Sequence, residues 1–315
     1  MGDDEIARFD PYAAENSPRA RPLEYPGARP SMSALITRTA VWQIRARDGD
    51  PLGSPSPSGL RLDDCRVALG AAYPGQSDPF PSLASVLEQE QVAGLGARVP
   101  VLAIGSNAAP AQLRHKFGSS STPLVVPSVL AWVRGVRVGF CAFVSALGYV
   151  PATVFPQAGA ETGTVVQLLD DDQLAEIDET ESPAYRRVWL ETPILLQTGE
   201  RLAGAYAYVA RGGYLAEETG AWVMGTPGER RPASVDQGRW FADQRSLLAR
   251  LCLDAAFAEA MGADPDEVVE RRAGAGVSER VLRAQGLVHE ENALYDLPDR
   301  MGRPPVRYGS PAGRG

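Results

Sequence analysis

The most apolar stretch of the chain, residues 129–150, carries Arg134 and Arg137 in its interior. Two guanidinium groups in mid-span are costly in lipid, so the stretch reads as strands of a water-soluble core and not as a membrane span. The chain has 315 residues, 44% of them apolar, enough to bury a core and to exclude wholesale disorder. That length fits about two domains, or one elaborated one. The net charge of -8 argues against a broad nucleic-acid footprint, which needs clustered positive charge. Lysine occurs once, at Lys116, and the arginines are scattered. Cys65, Cys141 and Cys252 lie far apart without CxxC spacing. They read as small core hydrophobes, give no metal framework, and fit a reducing, cytoplasmic setting. The opening Met-Gly-Asp-Asp-Glu-Ile has no basic region followed by an apolar one, so no secretory signal is expected.

Residues 1–33 are rich in Pro, Ala, Arg and acids without periodicity and read as a flexible arm. Residues 34–97 read as an N-terminal extension with a strand over 34–47, a Pro/Gly/Ser linker over 51–59 and a helix over 82–94. Strand signals then crowd together, at 99–104, 133–145, 152–155 and 162–169, with a hairpin over 186–196 and 202–209. Short helices are expected over 110–117 and 171–181. Beyond 213 the pattern turns helical: one helix over 241–261, then 266–272, then 278–285 with Ser278 as its cap. The helical extension runs over 213–302, and Pro, Gly and Arg make 303–315 a loose tail.

Two features carry chemistry. The apolar run ending at Ile104 leads into Gly105-Ser106-Asn107 and then a helix. Such a turn points backbone N–H groups outward, where a carboxylate or phosphate can sit; read alone, it is as readily a capped strand-to-helix turn. The second feature is the segment from Ile177 to Arg186. Pro183 disfavours helical geometry at Ser182, so the helix ends near Glu181, with Asp178 and Glu181 on one face. A carboxylate there meets the negative end of the helix dipole, an environment suited to a general base. Read alone, it is as readily a solvated acidic end pairing with Arg186 and Arg187. His115 reads as a partner on its helix face, and Asp170-Asp171-Asp172 as dipole-favouring acids rather than a cation site.

Taken together and in this order, Ile104-Gly105-Ser106-Asn107 and Ile177-Asp178-Glu179-Thr180-Glu181-Ser182, with Tyr185 following, resemble the γ-glutamylcyclotransferase family over about residues 100–210. The family carries Tyr-Gly-Ser-Asn after its first strand and later Leu-Asp-x-x-Glu-Gly followed by a Tyr. Ile104 stands in place of the first Tyr, which removes a hydroxyl and a ring from the pocket rim, and Ser182 in place of the Gly. The resemblance implies an α+β fold: a small mixed β-barrel or sheet with short helices over 98–212, here joined to the helical C-terminal extension.

It also implies an activity, the cyclisation of a γ-glutamyl amine or amide to 5-oxoproline with release of the amine. No cofactor or metal is required, and the partner is a small molecule, with neither nucleic acid nor membrane. Glu181 would be the general acid/base. Ile104, Gly105, Ser106, Asn107 and Tyr185 would bind substrate. The other readings are a non-catalytic small-molecule or protein-binding module on the same fold, and a scaffold whose arm and helical part make the contacts.

Overall fold

The computed structural model describes residues 10–53, 60–69, 78, 80–225 and 239–310. Most of the expected linker over 51–59 and the last five residues of the expected tail lie outside these. The expected strand over 34–47 is a hairpin, β1 (Ala34–Thr37) and β2 (Val41–Arg45), followed by the short β3 (Arg66–Val67). The helix α1 (Leu83–Gln89) starts where the Ser82 side chain accepts the Ser85 N–H.

β4 (Val99–Ala103) and α2 (Pro110–Lys116) follow closely the apolar run and the Pro-started helix read from sequence. β5 (Val125–Phe140) and β6 (Ala152–Leu169) are longer than expected and pair antiparallel. Their ladder jumps from Arg134 opposite Glu161 to Val136 opposite Pro156, so residues 157–160 stand out of register against Gly135. Gly135 and Gly159 supply the positive φ, +78° and +75°, that this bulge needs. The bulge makes one bent strand look like two in the sequence.

α3 (Asp171–Glu181) has the predicted bounds. Asp170 accepts the Gln173 N–H while the Gln173 side chain accepts the Asp170 N–H, a reciprocal cap. β7 (Tyr185–Leu190), β8 (Ile194–Leu196), β9 (Arg201–Leu202) and β10 (Ala205–Ala210) form the expected hairpin, interrupted after Leu190.

Past residue 213 the chain first returns to the sheet, through β11 (Tyr214–Glu217), β12 (Gly220–Met224) and β13 (Arg239–Phe241). Only then does it turn helical, in α4 (Gln244–Leu251), α5 (Ala255–Met261), α6 (Pro265–Arg271) and α7 (Ala275–Ala284), before β14 (Val288–His289). The single helix expected over 241–261 is two, because Asp254 accepts the Phe257 N–H and restarts the chain as α5. Ser278 is no cap. It lies inside α7, fully buried, where its hydroxyl accepts the Val144 N–H at 2.9 Å.

The sheet runs β14-β11-β12-β5-β6-β4-β10-β7. It is mixed: β10 lies parallel to β4, whereas β4–β6, β5–β6 and β7–β10 are antiparallel. With its helices this is the α+β architecture expected, including the helical C-terminal region. Central strands covered on both faces lose the polar alternation of a surface strand. β10 shows this: all six residues are buried. Ala205, Ala207 and Val209 enter one core, while Tyr206, Tyr208 and Ala210 enter the other. α3 covers the second core with Leu174 and Ile177, and this brings its last turn to the end of the sheet.

Two regions expected to be loose are packed. Residues 10–33 pack against α2, α4 and α6, fastened by Arg114, which donates to the Tyr12 carbonyl at 2.8 Å, and by Arg29, which donates to the Ile104 carbonyl at 3.0 Å. At the other end Tyr308 is buried, donating its N–H to the Arg98 carbonyl and its hydroxyl to Glu200. Irregular segments rich in Pro and Gly show no periodicity even when buried, because their polar backbone is satisfied by side chains.

Arg98 is fully buried and donates to the carbonyls of Ala93, Val125 and Leu168 and to Gln173 Oε1 at 2.8–3.1 Å. It clasps the start of β5, the end of β6 and α3. Arg98→Met removes one guanidinium and leaves several buried acceptors unpaired, a loss of about 3 kcal/mol or more. Denaturant unfolding of this variant is expected to show a midpoint well below that of the parent at unchanged m-value; an unchanged midpoint would deny Arg98 the clasp.

Candidate functional site

The segment from Ile104 to Asn107 leaves the buried end of β4 and turns into a short 3-10 turn, Ser106–Ala108, which leads into α2. The first N–H groups of such a turn have no partner within it. Its geometry is held from β6, where the Gln167 side-chain amide donates to the Asn107 carbonyl at 2.7 Å. Gly105 is required by space rather than by backbone angle. Its φ of -113° suits any residue, but a Cβ there would overlap the Tyr25 hydroxyl.

Opposite this turn stands the end of α3. Asp178 Oδ2 pairs with Arg187 of β7 at 2.8 Å, and Asp178 Oδ1 accepts the Tyr208 hydroxyl of β10 at 2.7 Å. Burial pushes the Asp178 carboxyl above its usual range, opposed by the Tyr208 hydrogen bond and Arg187. Asp178 is thus the anchor of the helix end. Of the two arginines read as possible partners for this acidic turn, Arg187 takes Asp178, while Arg186 pairs with Asp299 at 3.6 Å.

Glu181, one turn on, is held differently. Its Oε1 accepts from Lys116 Nζ at 2.6 Å and from Asn107 Nδ2 at 3.1 Å. Lys116, at the end of α2, also donates to Thr180 Oγ1 at 2.7 Å. Asn107 therefore ties the turn to the acid directly, across 74 positions of sequence.

These groups surround one cavity of about 510 Å³. Ile104, Gly105, Ser106 and Asn107 form one wall, and Glu181 and Tyr185 another, so all six residues singled out from the sequence line the same space. Tyr185 is buried at the cavity wall. Its hydroxyl donates to the Ala152 carbonyl at 3.0 Å and lies 3.3 Å from Cys141 Sγ. Tyr25 holds the same residue by its other backbone group, accepting the Ala152 N–H at 2.7 Å. Its ring stacks on Tyr149, with centroids 4.5 Å apart.

Burial raises the phenols of Tyr25 and Tyr185 well above their ordinary range and pushes Tyr149 up to about 12, so all three stay protonated at neutral pH. Burial likewise pushes the Cys141 thiol up to about 12, which leaves it un-ionised. His115 also lines the cavity, with its proton affinity lowered by partial burial and by the nearby charges of Arg19 and Lys116.

The chemical character of the space is one carboxylate, an ammonium paired to it, the guanidinium of Arg19, and a set of neutral hydroxyl and amide groups. Among the described residues no cluster of His, Cys, Asp and Glu could hold a metal, and no helix is long and apolar enough to cross a membrane. Asp170 caps α3, and Asp171 pairs with Arg307. Cys65 and Cys141 are buried free thiols.

Sequence reading missed Lys116, Tyr25, Arg19 and Tyr149 as cavity residues. Lys116 had a signal, as the single lysine in an arginine-rich chain. Tyr25 and Arg19 had none, because nothing in an aperiodic segment says where it docks.

Residues 108–240 match the model of the family described as Gamma-glutamyl cyclotransferase, AIG2-like. Glu181 and Tyr185 fall inside the match, while residues 104–107 lie immediately before it. No curated protein matches the chain significantly. Among solved structures, one named Gamma-glutamyl cyclotransferase shares 20% identity, over 36% of this chain and 66% of that one, with a TM-score of 0.29. The solution structure At3g28950.1 from Arabidopsis thaliana shares 17% over 36% and 62%, with a TM-score of 0.29. The uncharacterized protein loc79017 from Homo sapiens shares 21% over 36% and 67%, with a TM-score of 0.28. This chain thus spans only about two thirds of the length of those proteins. On this match, residues 108–240 of the α+β chain are similar to the γ-glutamylcyclotransferase family.

Proposed function

We propose that the cavity cyclises a γ-glutamyl amine or amide to 5-oxoproline and frees the amine, with Glu181 as general acid/base. The observation that carries this reading is the meeting of Glu181 and the Gly105–Asn107 turn around one space, joined by the Asn107–Glu181 hydrogen bond. The reaction is internal to the substrate. Glu181 accepts a proton from the α-ammonium, and the freed nitrogen attacks the δ-carbonyl. A C–N bond forms as the carbonyl electrons move to oxygen. The tetrahedral centre then collapses, the bond to the leaving nitrogen breaks, Glu181 returns its proton to that nitrogen, and the second proton of the ring nitrogen passes to the departing amine through solvent.

A base of this kind must start ionised, and the ion pair with Lys116 is that form of the carboxylate. The turn of residues 104–107 supplies N–H donors for substrate oxygens, and Tyr185 holds the Ala152 peptide that borders the space. The finer assignments, 5-oxoproline as product and a small γ-glutamyl compound as substrate, belong to this proposal, as does a cytoplasmic setting.

A second reading is favoured by one observation: Glu181 is already engaged by Lys116 and Asn107. A carboxylate so engaged also suits a binding module that never turns over its ligand. Release of 5-oxoproline from a panel of γ-glutamyl amines, followed by mass spectrometry, separates the two.

Glu181→Gln is expected to lower the rate by about 10²–10⁴, the typical contribution of a general base, while leaving circular dichroism unchanged. Full activity in that variant would remove Glu181 from the mechanism. Lys116→Met should slow the same assay by about tenfold, the scale of one charge-assisted hydrogen bond, since Asn107 still holds the carboxylate. A loss as deep as that of Glu181→Gln would instead make the lysine an equal partner in the chemistry.

A further inference from the structure

The cavity is not built by the γ-glutamylcyclotransferase-like segment alone. Residues 10–33 cross it and contribute Tyr25 and Arg19 to its lining. Tyr25 is fixed in three ways. Its hydroxyl accepts the Ala152 N–H, its ring stacks on Tyr149, and its hydroxyl fills the space that a side chain at Gly105 would need. Arg29, four residues on, donates to the Ile104 carbonyl at the base of the same turn. The phenol oxygen accepts from Ala152 and so keeps its own hydrogen for another acceptor.

Arg19 differs from every other charged group at the cavity. Glu181 is matched by Lys116 at 2.6 Å, whereas Arg19 is exposed and has no acidic partner among the described residues. With the one carboxylate already matched by the one lysine, the Arg19 guanidinium is the uncompensated charge of the cavity. A guanidinium recognises carboxylate or phosphate through its planar fork of donors.

We propose that residues 10–33 are part of the binding site, with Arg19 selecting substrates that carry an anionic group on the amine half and Tyr25 positioning the Gly105 turn. This rests on the γ-glutamyl reading of the cavity and adds to it the charge of the part that leaves. It also makes the site depend on sequence outside the family match. Tyr25 acts through the turn, and Arg19 acts on the ligand itself.

The test is calorimetric binding of γ-glutamylglycine and of γ-glutamylglycinamide, which differ only in the charge of the amine half, to the full chain. The parent protein is expected to prefer the acid by about tenfold. Arg19→Gln is expected to erase that preference by weakening the acid alone, and Arg19→Lys to restore part of it. As Arg19 is exposed, these variants should fold as the parent does. For Tyr25 the measure is a double-mutant cycle with Gly105→Ala: the alanine should weaken binding of both ligands at least tenfold, and much less in a Tyr25→Phe background, where the hydroxyl it displaces is gone.

Equal binding of acid and amide by the parent, a preference unchanged in Arg19→Gln, or no binding of either ligand would overturn the role of Arg19. Additive effects in the cycle would overturn that of Tyr25. Binding with the stated preference but no 5-oxoproline would leave this inference standing and end the catalytic reading.

Discussion

The position of the candidate site depends on how the last turn of α3 is held against the sheet. Asp178 does this, with one carboxylate oxygen on Arg187 and the other on the Tyr208 hydroxyl. Both partners come from adjacent strands, β7 and β10, so the helix end is fixed in two directions. The arginine is buried, and its charge is neutralised there rather than in water. Glu181 lies three residues further, nearly one turn along the same face, and is carried into the cavity by this anchor. Two acids of similar sequence setting therefore do different work. One is held on structure by the arginine and the tyrosine beneath it, and the other meets the only lysine at the edge of an open space.

The second organising element is the backbone of Ala152, where the chain re-enters the sheet after the 141–151 connection. Tyr185 bonds its carbonyl and Tyr25 its N–H. A buried residue whose N–H and C=O are both taken by side chains is stiff, and stiffness at a cavity wall is what positions a ligand. Ile104 brings no hydroxyl to this wall, but Tyr25 brings one from residues far away in sequence. The segment that supplies it is the one that looked least structured.

Much of the fold was legible because it rests on local rules. The bounds of α3, the Pro-started α2 and the apolar run of β4 all follow from patterns a few residues long. The same is true of the hairpin after Tyr185. Where the sequence misled, a non-local cause is visible. Gly135 and residues 157–160 form a bulge, so one strand read as two. Ser278 looked like a cap, yet its hydroxyl is taken by the Val144 N–H, 134 positions away. The tail near Tyr308 lacked periodicity but is pinned through Arg98 and Glu200. For the site, the turn and the acid were legible as two motifs; the lysine between them, and the tyrosine and arginine across from them, were not.

By itself the sequence determined the element types in the core, the strand-turn-helix at Gly105 and the helix that stops at Glu181, because each is set by propensity, capping or a proline nearby. Only the tertiary structure decided which acid anchors and which faces the cavity, and that residues 10–33 complete it. Those outcomes depend on burial and on partners brought in by other elements, Arg187 and Tyr208 for Asp178, and Asn107, 74 positions away, for Glu181. No local pattern encodes where a distant charge will come to rest.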